Sequence, residues 1–377
     1  MRITMIKVNI ISEFLVIIER IKDYRKGVVT YPLEEVLFLV FCGKLLNCQS
    51  WIEFKEFGDF SLKHLRKFLP YQNGVPSSFT ISRIISNIDS TKMNELLKSM
   101  ASIISEHKQS KRIALDGKKI GDDLYTVNAY CANSSVALMQ SDPYTAGNEL
   151  THIKQLLDVL HLKKAVVSID SIACNKEIAD KIRSKGGYML LAVKGNQPYL
   201  HKQIKNFFDT KRESNFAGLN IDCSETVEKG HGRVETRKAT TLHQFKYIPE
   251  LKHWKGVKQV IEIESTRWIN GKETIEHRYY ISGYKHTALE ALHLIRQHWR
   301  IENNLHWQLD TTFNEDDCPI ENNNARTNIA TINRIMLNVI KTIKDEKISI
   351  AAFLRKTRFS PKYFNNALTS FLNIFLT

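Results

Sequence analysis

The segment from residue 112 to residue 193 limits the possible folds most. It contains apolar runs of strand length and helical repeats in a fixed order: strands at 112–115, 125–130 and 135–139, a helix at 150–160, a strand at 165–169, a helix at 174–185 and a strand at 188–193. The last strand, helix and strand form a β-α-β unit, whose two strands should be parallel. We therefore predict an α/β fold with a mixed five-stranded sheet.

The flanking regions predict different structures. Residues 1–108 have mostly helical periodicity and several basic side chains, so they predict a helical domain with a possible DNA-binding role. A helical domain that only packs on its neighbour is nearly as good an interpretation. Residues 201–284 predict a β-rich insertion with a hairpin at Asn270-Gly271. Residues 285–377 predict further helices, one from Thr287 to about Asp310 and another over 328–344.

Composition excludes several classes of protein. With 43% hydrophobic and 25% charged residues, the chain is neither disordered nor a membrane protein, and no apolar run approaches the roughly 20 residues of a membrane span. Charges interrupt the apolar N-terminus, which argues against a signal peptide. The six cysteines form no CxxC pair and are expected to be free thiols of a cytoplasmic chain. The net charge of +14 favours a polyanionic partner, although a merely basic soluble protein is the alternative.

Three carboxylates are candidates for chemistry. Asp116 and Asp170 are predicted at the ends of two strands of the sheet, where sites form in open sheets. Glu302 is predicted on the apolar face of its helix, where a carboxylate is costly unless it is paired or binds a cation. A salt bridge to Arg326 is the alternative for Glu302. Three convergent carboxylates without a cysteine or histidine cluster favour Mg²⁺ or Mn²⁺, and two ions about 4 Å apart would suit phosphodiester chemistry.

Several motifs resemble those of DDE transposases. The segment 113–118 (IALDGK) resembles their first-aspartate motif, and 167–170 (VSID) with 188–198 (YMLLAVKGNQP) resembles the second-aspartate region. The segment 298–310 (HWRIENNLHWQLD) with 313–316 (FNED) resembles the third-carboxylate region. The segments 76–80 (PSSFT) and 228–233 (EKGHGR) fit the branch of bacterial insertion-sequence transposases that includes the H-repeat-associated proteins. The resemblance covers roughly residues 25–345.

The resemblance implies an RNase H-like catalytic core, in two parts over 109–200 and 285–377, with the β-rich insertion between them. It implies an enzyme that cleaves the ends of a mobile element and joins the 3′-hydroxyl to target DNA, with Asp116, Asp170 and Glu302 as catalytic metal ligands for two Mg²⁺ or Mn²⁺ ions. Double-stranded DNA and a homodimer or larger synaptic complex are the implied partners, and a bacterial cytoplasm, at the nucleoid, is the implied location.

Basic and polar residues near these motifs are candidate DNA contacts. They are Lys118, Lys194, Asn196, Gln197, His231, Arg233, His298 and Arg300. The wider superfamily has Arg and Lys where this chain has His298 and Leu309, so the role of that Lys in gripping end phosphates does not transfer to Leu309. Two other functions stay open from the sequence. One is an inactive or repurposed DNA-binding protein derived from a mobile element, and the other is an RNase H-like nuclease without strand transfer.

Overall fold

The computed structural model describes residues 11–105, 112–230, 233–244, 246–269 and 271–376. The helices are α1 (which includes residues 11–18), α2 (Leu33–Leu45), α3 (Trp51–Leu65), α4 (Ser78–Ser86), α5 (Ser90–Ser105), α6 (Glu149–Val159), α7 (Lys176–Ser184), α8 (Pro198–Glu213), α9 (Ala288–His298), α10 (Trp307–Thr311), α11 (Asn323–Ile343), α12 (Ile350–Phe359) and α13 (Pro361–Asn373). The strands are β1 (Arg112–Ile120), β2 (Leu124–Cys131), β3 (Val136–Gln140), β4 (Val166–Ile169), β5 (Tyr188–Val193), β6 (Ile221–Gly230), β7 (Arg233–Leu242), β8 (Gln259–Ile269) and β9 (Lys272–Ser282).

The sheet is mixed, as the sequence predicts. Its strands lie in the order β3-β2-β1-β4-β5-β9-β8-β7-β6. Strands β1, β4 and β5 are parallel to one another, whereas β2 and β3 run antiparallel to their neighbours. The first five strands follow the predicted chain order of three strands, helix, strand, helix, strand.

Two details of the predicted strands are wrong. The first strand does not end at Asp116, because Lys118, Lys119 and Ile120 continue the antiparallel ladder with β2. The β-rich region does not form a sheet of its own beside a five-stranded core. Strand β9 pairs antiparallel with β5 through Leu190 to Val193, so the two regions make one nine-stranded sheet. The hydrophobic runs of β5 and β9 lie at interior positions of the sheet, where periodicity alone cannot say which strand is the neighbour.

Helices cover both faces of the first five strands. On one face, apolar residues of β1, β2, β4 and β5 pack with α6, α7 and α8. On the other face, Ala114 and Tyr130 join a large core shared by the N-terminal helices and α11 to α13. The N-terminal helical region therefore shares its core with the C-terminal helices. Within the described chain, no helix has the length and apolarity to cross a membrane.

The helical run from Ala288 to Thr311 is the element that carries Glu302. It begins at a capping box formed by Thr287 and Glu290, as the sequence predicts. Residues Glu302–His306 form a π-helical turn between α9 and α10. Such turns are rare within helices and are frequent at functional sites.

Candidate active site

Asp116 and Asp170 lie on neighbouring parallel strands. The register of β1 and β4 pairs Leu115 with Ile169, so the two aspartates are the next residues on adjacent strands, about 4.8 Å apart between backbones. Asp116 lies in the middle of β1, and Asp170 begins the short 3₁₀ turn that follows β4. The sheet therefore brings the two aspartates together.

The helical run from Ala288 to Thr311 lies across these strands and contacts them through a polar stripe. Its members recur at every fourth position, a spacing that drifts by about 40° per step around a regular α-helix. The wider π turn counteracts that drift, so the stripe continues to face the sheet. In order along the helix, His298 Nδ1 lies 3.1 Å from Ser168 Oγ, Glu302 follows, His306 Nδ1 lies 3.5 Å from Asp116 Oδ2, and Asp310 accepts a hydrogen bond from Lys118.

The side chain of Glu302 is exposed, although the sequence predicts it among buried apolar residues. Leu305 and Leu309 are buried, as the apolar stripe predicts. Glu302 belongs instead to the polar stripe with His298 and His306, beside the buried leucines. The alternative partner, Arg326, instead pairs with Asp123 at 3.2 Å. Partial burial and the neighbouring Asp170 raise the pKa of Glu302.

Among the carboxylates of the site, Asp116 has the most strongly raised pKa. Burial, together with the carboxylates of Glu302, Glu149 and Asp170, raises the pKa of Asp116 to about 7. Four carboxylates thus lie close enough to repel one another. A cation bound among them would relieve that repulsion.

Glu149 is a member of the site that the sequence analysis missed. It is the first residue of α6, and its carboxylate lies against the backbone of Gly117. A Cβ atom at position 117 would lie 2.7 Å from Glu149 Oε1, so a larger residue there would push the Glu149 side chain aside. In the sequence Glu149 has only the common signal of an acidic residue in the first turn of a helix.

A buried chain of hydrogen bonds supports Asp116 from behind. Arg334 Nε donates to Asn128 Oδ1 at 2.6 Å, and Asn128 Nδ2 lies 3.4 Å from His306 Nε2. Because arginine only donates, the Asn128 amide must present its NH₂ group to His306. His306 therefore accepts at Nε2 and carries its proton on Nδ1, which faces Asp116. Burial lowers the pKa of His306 to about 3, so this neutral form persists at neutral pH.

The far end of this chain is fixed by a buried ion pair. Arg334 NH1 lies 2.9 Å from Glu315 Oε1, and the two side chains are 0% and 1% exposed. Arg334 belongs to α11, which packs in the helical core. The hydrogen-bonded chain therefore connects Asp116 to the helical layer of the protein.

The predicted DNA contacts have different environments. Lys118 is buried and is paired with Asp310 and Asp316, and the half-buried His298 contacts Ser168. Burial lowers the pKa of His298 to about 4, so it carries no charge at neutral pH. The placement of these two side chains does not support a direct DNA contact.

Of the remaining predicted contacts, Lys194, Asn196 and Arg300 lie at the surface, and Gln197 is half-buried. The exposed Lys194 has its Nζ atom 3.5 Å from Asp170. Asn196 and Gln197 donate to backbone carbonyls of the turn after Asp170 and so hold that turn in place. Arg300 is exposed and donates to the Ala132 carbonyl. The backbone of Arg233 starts β7, but its side chain and all of His231 lie outside the described residues.

The donor set fits a hard cation. Asp116, Asp170, Glu302 and Glu149 offer carboxylate oxygens, which Mg²⁺ and Mn²⁺ prefer, and their mutual repulsion raises the pKa of Asp116. Among the residues that the structure describes, no three His, Cys, Asp or Glu side chains are positioned to hold a metal ion together. The carboxylates are therefore neighbours that a cation would have to draw closer.

Comparison with known proteins gives matches over most of the chain. Residues 108–339 match the family described as "Transposase DDE domain", and residues 15–101 match the family described as "DDE_Tnp_1-associated". The "Putative transposase YncI" of Escherichia coli O157:H7 is 34% identical over 96% of this chain and 95% of its own length. The "H repeat-associated putative transposase YhhI" of Escherichia coli K12 is 31% identical over 92% of this chain and 95% of its own length.

Proposed function

Since the chain belongs to the family of DDE transposases, we propose that it cleaves the ends of an insertion sequence and joins the freed 3′-hydroxyl to target DNA. Asp116, Asp170 and Glu302 would be the catalytic residues. The observation that carries this proposal is the meeting of Asp116 and Asp170 on adjacent strands beneath the π turn of Glu302. The net charge of +14 suits double-stranded DNA as the substrate.

The first five strands support an RNase H-like core. Their order, with an antiparallel β3-β2-β1 meander followed by parallel β4 and β5, is the arrangement that the sequence resemblance implies. The helical residues 1–108 would help to bind DNA, residues 109–200 and 285–377 would form the two parts of the core, and residues 201–284 would extend its sheet. Joining two element ends would need a homodimer or larger complex, and the protein would act at the bacterial nucleoid.

Two Mg²⁺ or Mn²⁺ ions would be held by Asp116, Asp170 and Glu302. When bound, they would supply charge stabilisation to the attacking and leaving oxygens of a phosphodiester exchange. Asp116, held by His306, would provide the fixed carboxylate of the site. The exposed Glu302 is free to adjust its position when DNA binds. Its raised pKa also suits it to take a proton from an attacking hydroxyl.

The chemistry would run in two balanced steps. Water attacks the phosphorus at the element end, the P–O3′ bond breaks, and the strand leaves with a free 3′-hydroxyl. That hydroxyl then attacks a phosphorus of the target strand, forming one phosphodiester bond as another breaks. No external energy source is required, because each step exchanges one P–O bond for another.

The proposal is tested with purified protein, DNA carrying the element's own ends, and Mg²⁺ or Mn²⁺. We expect cleavage and joining by the wild type, and loss of both with retained DNA binding for Asp170→Ala and Glu302→Gln. Glu321→Gln is the matched control. Glu321 is exposed on the loop before α11, so this variant should cleave DNA normally. Equal cleavage by all variants would contradict the site assignment.

Two other functions remain as outcomes of the same experiment. Binding without cleavage by the wild type would favour a repurposed DNA-binding protein. Cleavage without joining would favour a nuclease. The intact carboxylates favour an active enzyme over the first of these alternatives.

A further inference from the structure

A cleft of about 390 Å³ opens between α9 and strands β6–β9, beside the Glu302 turn. Helix α9 packs closely on the sheet near its start, through Ala288 and Ala291, and the cleft opens towards its end. Apolar side chains, including Ile263 and Ile295, form part of the lining. Four arginines also line the cleft: Arg237, Arg267, Arg278 and Arg296.

The cleft is continuous with the candidate active site. Arg278, Tyr280 and Trp299 line both this cleft and a smaller pocket of about 20 Å³ that contains Asp170 and Lys194. The guanidinium of Arg278 lies 5.5 Å from the centre of the Trp299 ring, within cation–π distance. A DNA strand that passes Asp170 could therefore extend into the cleft.

The carboxylate of Glu228 is paired with two of the arginines at the cleft wall. Both oxygens of Glu228 accept hydrogen bonds from the two terminal nitrogens of Arg296, and Arg237 NH1 lies 3.2 Å from Glu228 Oε2. This two-pronged geometry is also the one by which arginine binds a phosphate. Glu228 opens the EKGHGR segment of the sequence, which the catalytic site does not use.

Glu228 is accessible to a competing anion. The side chains of Arg296 and Glu228 are 42% and 43% exposed, so solvent screens their attraction. Arg237 is also held by the buried Glu235 at 2.7 Å, so it should keep its place without Glu228. The two arginines would then present their donors to another anion.

Two predicted DNA contacts near the carboxylates are not available to DNA. Lys118 is buried between Asp310 and Asp316, and His298 is half-buried and neutral. Lys194 is exposed beside Asp170, and Arg278 lines both the small pocket of Asp170 and the cleft that contains Arg237 and Arg296. This arrangement gives the arginines a role that the sequence resemblance does not assign.

We propose that Arg237 and Arg296 form a binding site for a backbone phosphate of the DNA strand beside the cleavage site, and that Glu228 fills this site in the DNA-free protein. The proposal rests on the proposed function for the identity of the ligand. A phosphate that enters displaces Glu228, and the carboxylate therefore competes with DNA for the arginines.

The two sides of this competition predict opposite effects on DNA binding. The assay is fluorescence anisotropy with a labelled 20-base-pair duplex, in EDTA, over a series of KCl concentrations. Glu228→Gln should tighten binding by up to about fivefold, because it removes the competing charge. Arg296→Ala should weaken binding by about tenfold and reduce the salt dependence by about one counterion.

A second ion pair provides matched controls. Arg183 and Asp180 on α7 are paired at 3.1 Å and are 51% and 43% exposed, but they lie outside the cleft. Arg183→Ala and Asp180→Asn make the same charge changes. The proposal is overturned if Glu228→Gln binds no more tightly than Asp180→Asn, or if Arg296→Ala binds no more weakly than Arg183→Ala.

Folding and catalysis are checked separately. Thermal unfolding should show that all variants fold, and Arg296→Lys provides a variant that keeps the charge but loses the two-pronged geometry. It too should bind more weakly than the wild type, and equal binding would count against the site. Because binding is measured without metal, a wild type that binds DNA but does not cleave it would contradict the proposed function and leave this test intact.

Discussion

Asp116 and Glu302 belong to one candidate site but have opposite surroundings. Asp116 lies within a strand and is backed by His306, Asn128 and the buried Arg334. Glu302 lies on a π turn, exposed, next to a cleft lined by arginines. The difference indicates a division of roles. The sheet side provides a fixed carboxylate, and the helix side provides one that can move when DNA arrives.

The largest effect should come from the ion pair behind Asp116. Arg334→Met leaves Glu315 buried without its partner and should lower the free energy of unfolding by about 3–5 kcal/mol. Arg183→Met removes the exposed pair with Asp180 and should cost about 1 kcal/mol or less. Urea unfolding measures both. Equal losses in the free energy of unfolding would show that the buried pair behind Asp116 stabilises the fold no more than an exposed pair does.

Asp116→Asn should stabilise the metal-free protein at high pH. The pKa of Asp116 is raised from 3.8 to about 7, so the folded state favours the protonated form. The stability that this pKa shift gives to the folded state is fully present below about pH 4 and is lost as the pH rises through 7. The variant should therefore be more stable than the wild type at pH 8, by on the order of a few kcal/mol, with little difference at pH 4.

Thermal unfolding at pH 4, 6 and 8, with and without Mg²⁺, measures this effect. Mg²⁺ should stabilise the wild type at pH 8 more than the variant. An Asp116→Asn protein that loses stability equally at every pH would contradict the electrostatic interpretation.

Asn128→Leu should lower activity as well as stability, because it also leaves the buried Nε donor of Arg334 unpaired. It breaks the link between Arg334 and His306, so His306 no longer has a fixed proton position towards Asp116. Loss of such outer partners typically costs about 10–100-fold in metal affinity or activity. Mn²⁺ binding, followed by electron paramagnetic resonance, and DNA cleavage should both fall. Asn303→Leu, at an exposed position beside Glu302, should leave Mn²⁺ binding nearly unchanged.

The smallest effect is expected for Glu302→Gln on stability. Its side chain is exposed, so the free energy of unfolding should change by less than about 0.5 kcal/mol even though cleavage is lost. Chemical unfolding beside a cleavage assay tests this separation. A large loss of stability would show that Glu302 supports the fold as Asp116 does.

The sequence predicted that Asp116 and Asp170 lie close together, because alternating strands and helices place them at defined points of the sheet. It predicted the helix of Glu302 and its Thr287 cap from local signals alone. It predicted Glu302 among buried apolar residues, but the side chain is exposed on the polar stripe beside them, and apolar spacing does not resolve such neighbouring positions.

Long-range partners were beyond the reach of sequence patterns. Glu149 and Gly117 are 32 positions apart, and the pairing of β5 with β9 spans about 90 residues. Neither contact follows from periodicity, which reports only which face of an element is buried. Glu315 likewise pairs with Arg334, which lies 19 positions further along the chain on α11.

The support of Asp116 by Arg334 has a consequence for how the enzyme is made. On the ribosome, Arg334 emerges 218 residues after Asp116. At roughly 5–20 residues per second, this interval lasts roughly 10–45 seconds. The nascent chain therefore has both candidate catalytic aspartates long before it can hold one of them in position. A product that stops before α11 would carry the acidic residues of the candidate site without the buried arginine that supports them.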